Sequence, residues 1–303
     1  MPKNSPRVRA TAARRGITLL VLAGVLWGTG GLSGAALAES AGLSSPSVAA
    51  YRLLAGGVLL TAFALATGRL SRLPRRRGTL VHTALTGALL AVFQASFFGA
   101  VAATSVSLAA LTTMVAVPVL VAFGSCALQA RRPSPALLAG VATAGLGLVL
   151  LLGAPSGEGD VLTGTVLALT AAAGFAAVTL NPGAARLEGH ELAVTALAFL
   201  AGGFVLLPFA AVTGMALPMR PEPLAGLLFL GLVPTAIAYT AYFAGLRLTE
   251  ANAGVVAALL EPLTSVVLSV LLFGEDLRAV QVGGVALVLA SIVMQRPRAP
   301  REA

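Results

Sequence analysis

The sequence predicts an all-α integral membrane protein of ten transmembrane helices, arranged as two inverted five-helix repeats with both termini cytoplasmic. Three observations carry this expectation. Hydrophobic residues make up 57% of the chain and charged residues 10%, where a soluble domain carries roughly a quarter charged. The apolar residues fall into ten windows of about one bilayer thickness. The chain also matches itself at a nearly constant offset. A β-barrel is disfavoured because the windows are continuously apolar rather than alternating.

The windows follow in order. The first, 17–37, comes after Arg14-Arg15 and stays uncharged from Ile17 to Ala38. Ala-Leu-Ala before Glu39 imitates a signal cleavage site, but signal cores run about 7–15 residues, so a retained span is expected. Gly24, Gly28, Gly31 and Ala35 form one small-residue stripe along this helix, suited to close packing or to a sliding surface; Trp27 lies on the same helix. The second, 47–67, opens with YRLLAGG and holds Arg52. The third, 79–102, carries Phe93, Gln94, Phe97 and Phe98, and the fourth, 105–128, carries Pro118 and the single cysteine, Cys126. The fifth is 135–153; the sixth, 161–181, holds Phe175 and ends at Asn181-Pro182. The seventh is 191–213, and the eighth, 223–246, contains Pro234, Tyr239, Tyr242 and Phe243. The ninth, 252–273, is interrupted by Glu261-Pro262, and the tenth is 277–294.

Loop charge orients the windows. With the N-terminus inside, the inner segments hold Lys3 and sixteen arginines, clustered at 7–15, 69–77, 131–132, 186, 247 and 296–301. The outer loops hold Arg220 and Arg278 beside Glu39, Glu158, Asp160, Glu222, Glu275 and Asp276. Both ends are therefore expected inside, in a multi-pass protein of a bacterial plasma membrane. The net charge of +9 sits in tails and loops, with no basic helical face interleaved with aromatics, so nucleic acid is not an expected partner.

SFFGAVAATS (96–105) matches AYFAGLRLTE (241–250), and VAVPVLVAF (115–123) matches ALLEPLTSV (258–266). The pairings Phe98/Phe243, Pro118/Pro262, Val117/Glu261 and Gly140/Gly284 share an offset of about 144–148. Five spans is an odd number, so the second copy enters the membrane inverted, an arrangement common in secondary transporters. The expected parts are a basic tail at 1–16, repeats at 17–153 and 161–294, an outer linker at 154–160 and a tail at 295–303.

With LWG in the first helix, YRLLAGG in the second and LLEPLTSVVLSVLLFGEDL in the ninth, the chain resembles the EamA family of the drug/metabolite transporter superfamily. Glu261-Pro262 followed by Gly274-Glu275 is the most specific part of that likeness. The resemblance covers residues 17–294 and implies export of amino acids or other small metabolites. Arg131 departs from the acidic residue common at that place in the family.

A carboxylate at mid-membrane costs about 2.5–3.5 kcal/mol on insertion scales, which makes Glu261 the first candidate for substrate contact or proton coupling. A structural role beside the backbone freed by Pro262 is the alternative reading. Arg52 is the only cation within a window; it either pairs with Glu261, bonds structurally or snorkels outward. Gln94, Trp27, Phe98, Phe175, Tyr239 and Tyr242 are the further substrate candidates, with ordinary packing the competing role for each. Pro118, Pro262 and Pro234 are candidate hinges, because proline gives up an intrahelical bond and favours a kink.

Absences narrow the function. No H-E-x-x-H, G-x-S-x-G, nucleotide-binding or Cys/His motif occurs, so neither an enzyme nor a metal or cofactor is expected. One intramembrane cation is too few for phosphate-rich cargo. The expected function is alternating-access export of a small neutral, zwitterionic or cationic solute, with proton exchange one option. An importer or a facilitative, channel-like permease is the alternative. The expected partners are that solute, the bilayer and, under exchange, protons.

Overall fold

In hydrocarbon every backbone N–H and C=O must be satisfied inside the protein, which selects helices for a chain this apolar. The computed structural model describes residues 6–130, 132, 135–152, 160–181, 187–249, 254–274 and 279–294. Among these there is no strand. The helices are α1 (Pro6–Ala41), α2 (Ser45–Ala66), α3 (Arg77–Ala103), α4 (Val106–Leu128) and α5 (Pro135–Leu152). They continue as α6 (Val161–Leu180), α7 (Glu191–Thr213), α8 (Pro221–Leu246), α9 (Gly254–Phe273) and α10 (Ala279–Met294).

Each helix overlaps one of the ten apolar windows. Seven of them, α1 to α4 and α6 to α8, are long and apolar enough to cross a membrane among the described residues. The other three border segments outside those residues: α5 and α9 offer the shorter apolar stretches Leu138–Gly147 and Leu263–Leu272, and α10 has 16 residues. The first helix begins well before its window because the Ala- and Arg-rich segment ahead of Ile17 is itself a good helix former. The tail 295–303 and the linker up to residue 159 lie outside the described residues.

Helix starts are fixed by side-chain caps, which satisfy amides that have no intrahelical partner. Ser44 accepts from the Ser47 amide at α2, Ser105 from the Leu108 amide at α4, and Asp160 from the Thr163 amide at α6. The turn after α1 passes through Gly42 at φ 64°, a conformation that glycine adopts without steric cost.

The most extensive interfaces pair α2 with α7 and α8, α3 with α6 and α7, α1 with α8 and α9, α4 with α6, and α5 with α10. Advancing each label by five converts this pattern into itself: α3 on α6 becomes α8 on α1, and α4 on α6 becomes α9 on α1. The correspondence holds at single residues. A Cβ on Gly57 of α2 would stand 2.9 Å from Leu200 of α7, and one on Gly203 of α7 would stand 2.6 Å from Leu54 of α2. Gly99 of α3 receives Leu167 of α6, and Gly245 of α8, one place further along in the Phe98/Phe243 register, receives Leu20 of α1; Gly164 meets Thr104 as Gly16 meets Thr249. Each set is related by the offset found in the sequence. Small residues that admit a neighbouring backbone are how apolar helices gain contact when lipid is as apolar as the core.

The main apolar core joins Leu37, Leu53, Leu60, Phe98, Phe199 and Leu230 from α1, α2, α3, α7 and α8. Large apolar side chains such as Leu162, Val212 and Leu271 point outward and are exposed, the face a lipid-embedded protein presents.

Candidate functional site

The helices enclose a cavity of about 300 Å³, at the small end of the range for small-molecule sites. Its wall draws on α1, α2, α3, α4, α6, α7, α8 and α9, and its charged members are Arg52 and Glu261.

Arg52 projects from α2 and is only 7% exposed. Its guanidinium lies 5.8 Å from the centroid of the Phe98 ring, within cation–π range. It is also packed against Gly30 of α1, where a Cβ would stand 3.0 Å from Nη2. Nη1 donates to Gln94 Oε1 at 3.3 Å. Arginine has only donors, so this contact fixes the oxygen of the Gln94 amide toward α2. Arg52 Nε is buried without a protein partner. Arg52 therefore points inward and does not snorkel. No ion pair joins it to Glu261; among the described residues the pair that forms is Arg247–Glu191, 3.9 Å apart and partly exposed.

Glu261 lies on α9 one turn before Ser265, and both line the cavity. The Glu261 carbonyl packs against α1, where a Cβ on Gly28 would stand 2.8 Å away. That close approach holds this turn of α9 against the first helix. The counterpart of Glu261 in α4, Val117, also lines the cavity. One equivalent position is thus charged and the other apolar.

Aromatic rings make up much of the remaining wall. Trp27 meets Tyr239 at 5.0 Å and Tyr242 at 4.9 Å between centroids, and Phe199 meets Tyr239 at 5.0 Å. Across the cavity Phe93 packs 5.1 Å from Phe175 and 6.1 Å from Phe97. Such tilted and edge-on pairs are favourable arrangements for rings. Trp27 Nε1, like Arg52 Nε, is a fully buried donor with no protein partner, and the one carboxylate of the wall is Glu261.

Of the residues singled out in the sequence, Glu261, Gln94, Trp27, Phe175, Tyr239, Tyr242 and Arg52 line this one cavity. Phe98 does not; it lies behind the wall, under Arg52 and 5.6 Å from Phe97. Pro234 is buried in a π-helical turn, Leu232–Ile237, within α8. The side chains of Pro118 and Pro262 lie outside the described residues. Sequence reasoning missed Thr86, Thr195, Ser265, Met114 and Phe199 in the wall. The hydroxyls carried no distinguishing signal, because Thr and Ser are common throughout these helices. No cluster of His, Cys, Asp or Glu able to hold a metal occurs among the described residues.

Comparison with known proteins gives a consistent picture. Residues 14–153 and 162–295 each match the EamA-like transporter family. The chain is 28% identical over 275 residues to the uncharacterized transporter YwfM of Bacillus subtilis, covering 91% of both chains. It is 25% identical over 289 residues to the uncharacterized inner membrane transporter YicL of Salmonella typhimurium, covering 93% of this chain and 95% of that one. A crystal structure sharing 21% identity superposes with a TM-score of 0.63, covering 94% of this chain and 96% of the other. At that identity the likeness concerns the fold alone.

Proposed function

The chain belongs to the EamA-like transporter family, and on that premise we propose that it is a secondary transporter that exports a small zwitterionic, neutral or cationic metabolite by alternating access. The observation that carries the reading is the cavity lined by a buried cation, a carboxylate and a set of aromatic rings. A solute with an acceptor group finds the Arg52 guanidinium, a cationic group finds Glu261, and an apolar body finds the rings. One cation leaves polyphosphates poorly matched. Exchange of a proton at Glu261 for solute is the coupling this arrangement favours, since among the described residues no ion pair fixes the charge of that carboxylate. The family and its named relatives point to transport rather than catalysis.

Two inverted five-helix halves with both termini cytoplasmic is the architecture we infer for this cycle. The support is the contact pattern that repeats when helix labels advance by five, and the two separate family matches in one chain. Substrate sites at the interface of such halves are typical of secondary transporters.

The test is counterflow into proteoliposomes with radiolabelled amino acids, nucleosides and quaternary ammonium compounds. Saturable uptake that accelerates with solute or a pH gradient across the membrane is expected. Flux that does not saturate would make the protein a channel, and no flux of any of the three classes would sink the reading.

A further inference from the structure

α8 is the helix of the cavity wall that departs from α-helical geometry, at the π-helical turn Leu232–Ile237. A π turn amounts to one residue inserted into an α-helix, and such turns concentrate at functional sites. The insertion can be measured against α3, the equivalent helix. Gly87 of α3 abuts Ala201 and Gly202 of α7, and Gly231 of α8 abuts Ala55 and Gly56 of α2, the corresponding residues. Counting onward, Phe98 lies eleven residues after Gly87, whereas its counterpart Phe243 lies twelve after Gly231. The extra residue falls where the π turn is.

Its consequence is a change of face. Gln94 and Phe97 stand seven and ten residues after Gly87 and line the cavity. In a regular helix the same steps from Gly231 would bring Ala238 and Ala241 to the cavity. With one residue inserted, which turns the following chain by about 100°, Tyr239 and Tyr242 line it instead, joined by Phe243 although its counterpart Phe98 lies behind the wall, and Ala238 and Ala241 are buried elsewhere.

Beside its backbone bonds, among them Ala238 N–H to the Val233 carbonyl, the turn is closed by one side-chain hydroxyl. Pro234 has no N–H, so the Leu230 carbonyl loses its ordinary partner four residues on. Thr235 Oγ1 donates to that carbonyl at 2.8 Å. Thr235 is 0% exposed, and its methyl is seated against Gly56 of α2, where no Cβ would fit. A buried carbonyl without a donor is costly in an apolar interior, so the hydroxyl and the insertion are coupled.

We propose that Thr235 is a positioning residue for the solute site: its hydroxyl stabilises the one-residue π insertion that aims Tyr239 and Tyr242, rather than Ala238 and Ala241, into the cavity. The inference rests on the transporter reading for its purpose and is independent of it for its geometry.

Trp27 is the only tryptophan of the chain and touches both tyrosines, so its fluorescence and its quenching by acrylamide report the aim of α8 with no solute present. In detergent-purified full-length protein, Thr235→Val keeps the shape against Gly56 and removes the hydroxyl. It is expected to shift the Trp27 emission and raise its quenching constant, because the indole loses its contacts with both tyrosines. Thr235→Ser is expected to retain the wild-type spectrum. Deleting Pro234 from the Thr235→Val variant removes the extra residue, returns Tyr239 to the seventh place after Gly231, and is expected to restore the spectrum. A folded Thr235→Val protein with the wild-type spectrum and quenching overturns the inference. If that variant does not fold, deletion of Pro234 alone decides: the wild-type spectrum supports the inference and a changed one overturns it. A protein that shows the spectral series but moves no solute overturns the transporter reading and leaves this inference standing.

Discussion

α3 and α8 occupy equivalent places and are built alike until they reach the cavity. Each packs a glycine, Gly87 or Gly231, into the backbone of a neighbour. α3 then continues as a regular helix and delivers Gln94, whose amide is committed to Arg52. α8 breaks at Pro234, gains a residue, and delivers Tyr239 against Trp27 and Phe199. The same division holds between α4 and α9, which bring Val117 and Glu261 to the cavity. Packing contacts between the halves are thus reciprocal, whereas the chemistry is split: the first half supplies the cation and its amide, the second the carboxylate and the tyrosines. A device that must close on either side of a solute profits from the first property. Recognition of an asymmetric solute needs the second.

The largest effect should come from erasing that split at Glu261. Glu261→Gln keeps the size and removes the charge, and is expected to lower counterflow by at least about tenfold, as for an interaction made in the rate-limiting state, and to flatten its pH dependence. Val117→Gln, the equivalent change in α4, is expected to cost much less. Equal losses at the two positions would break the comparison, and full transport with wild-type pH dependence in Glu261→Gln would end proton coupling as an explanation.

Next in size is the cation. Gln94→Leu strands the Arg52 guanidinium without its acceptor, and losing a hydrogen bond to a buried charged group costs about 1.5–3 kcal/mol; a clear fall in the thermal midpoint of the purified protein is expected. Arg52→Met removes the charge but leaves the buried Gln94 oxygen without its donor, at a cost of about 1–3 kcal/mol; combined with Gln94→Leu it removes both partners together, which is often neutral or stabilising. The double variant should melt near the wild-type temperature while losing solute binding. If the double variant is less stable than Gln94→Leu alone, the guanidinium is a structural tie rather than part of the recognition wall.

Reciprocal packing makes a smaller and more even prediction. Gly57→Ala and Gly203→Ala each drive a methyl into a leucine of the opposite helix, and overpacking costs roughly 1–3 kcal/mol. The two variants should lower the thermal midpoint by similar amounts. A large inequality would mean that the α2–α7 contact is less symmetric in energy than in geometry.

Much of this was legible in the sequence, and the rest was hidden for identifiable reasons. The ten apolar windows each overlap a helix, because apolar length is itself the signal when every backbone group must be satisfied internally. Glu261, Arg52 and Gln94 stood out because charge and amide groups are costly in hydrocarbon, and those residues do line the cavity. Phe98 was indistinguishable from Phe97, its neighbour in the wall. In a soluble helix the apolar stripe reveals the inward face, but lipid is as apolar as a core, so Leu162 facing out and Leu230 facing in look alike. The π turn was hidden for another reason. Pro234 suggested a hinge, but the inserted residue emerges only when α8 is counted against α3 between packed glycines, and those contacts are a property of the folded molecule.

The smallest effect separates the halves at their helix starts. α4 is capped by the Ser105 hydroxyl, whereas α6, which opens the second half, is capped by the Asp160 carboxylate, bonded by the Thr163 amide at 3.0 Å and the Thr163 hydroxyl at 2.5 Å. Those bonds hold the Asp160 carboxyl below its ordinary range, with the Thr163 hydroxyl the larger cause. A carboxyl depressed by folding stabilises the protein at every pH above its unfolded value of about 3.9, and that contribution is lost as pH falls through the lower folded value. The thermal offset between wild type and Asp160→Ala should therefore be constant from neutral pH down to about 4 and shrink below it. For Ser105→Ala the offset, about 1 kcal/mol for a lost hydroxyl cap, should not change across the same range. An Asp160→Ala offset that stays flat through acid would mean the cap contributes nothing through its charge, and the two helix starts would then be equivalent.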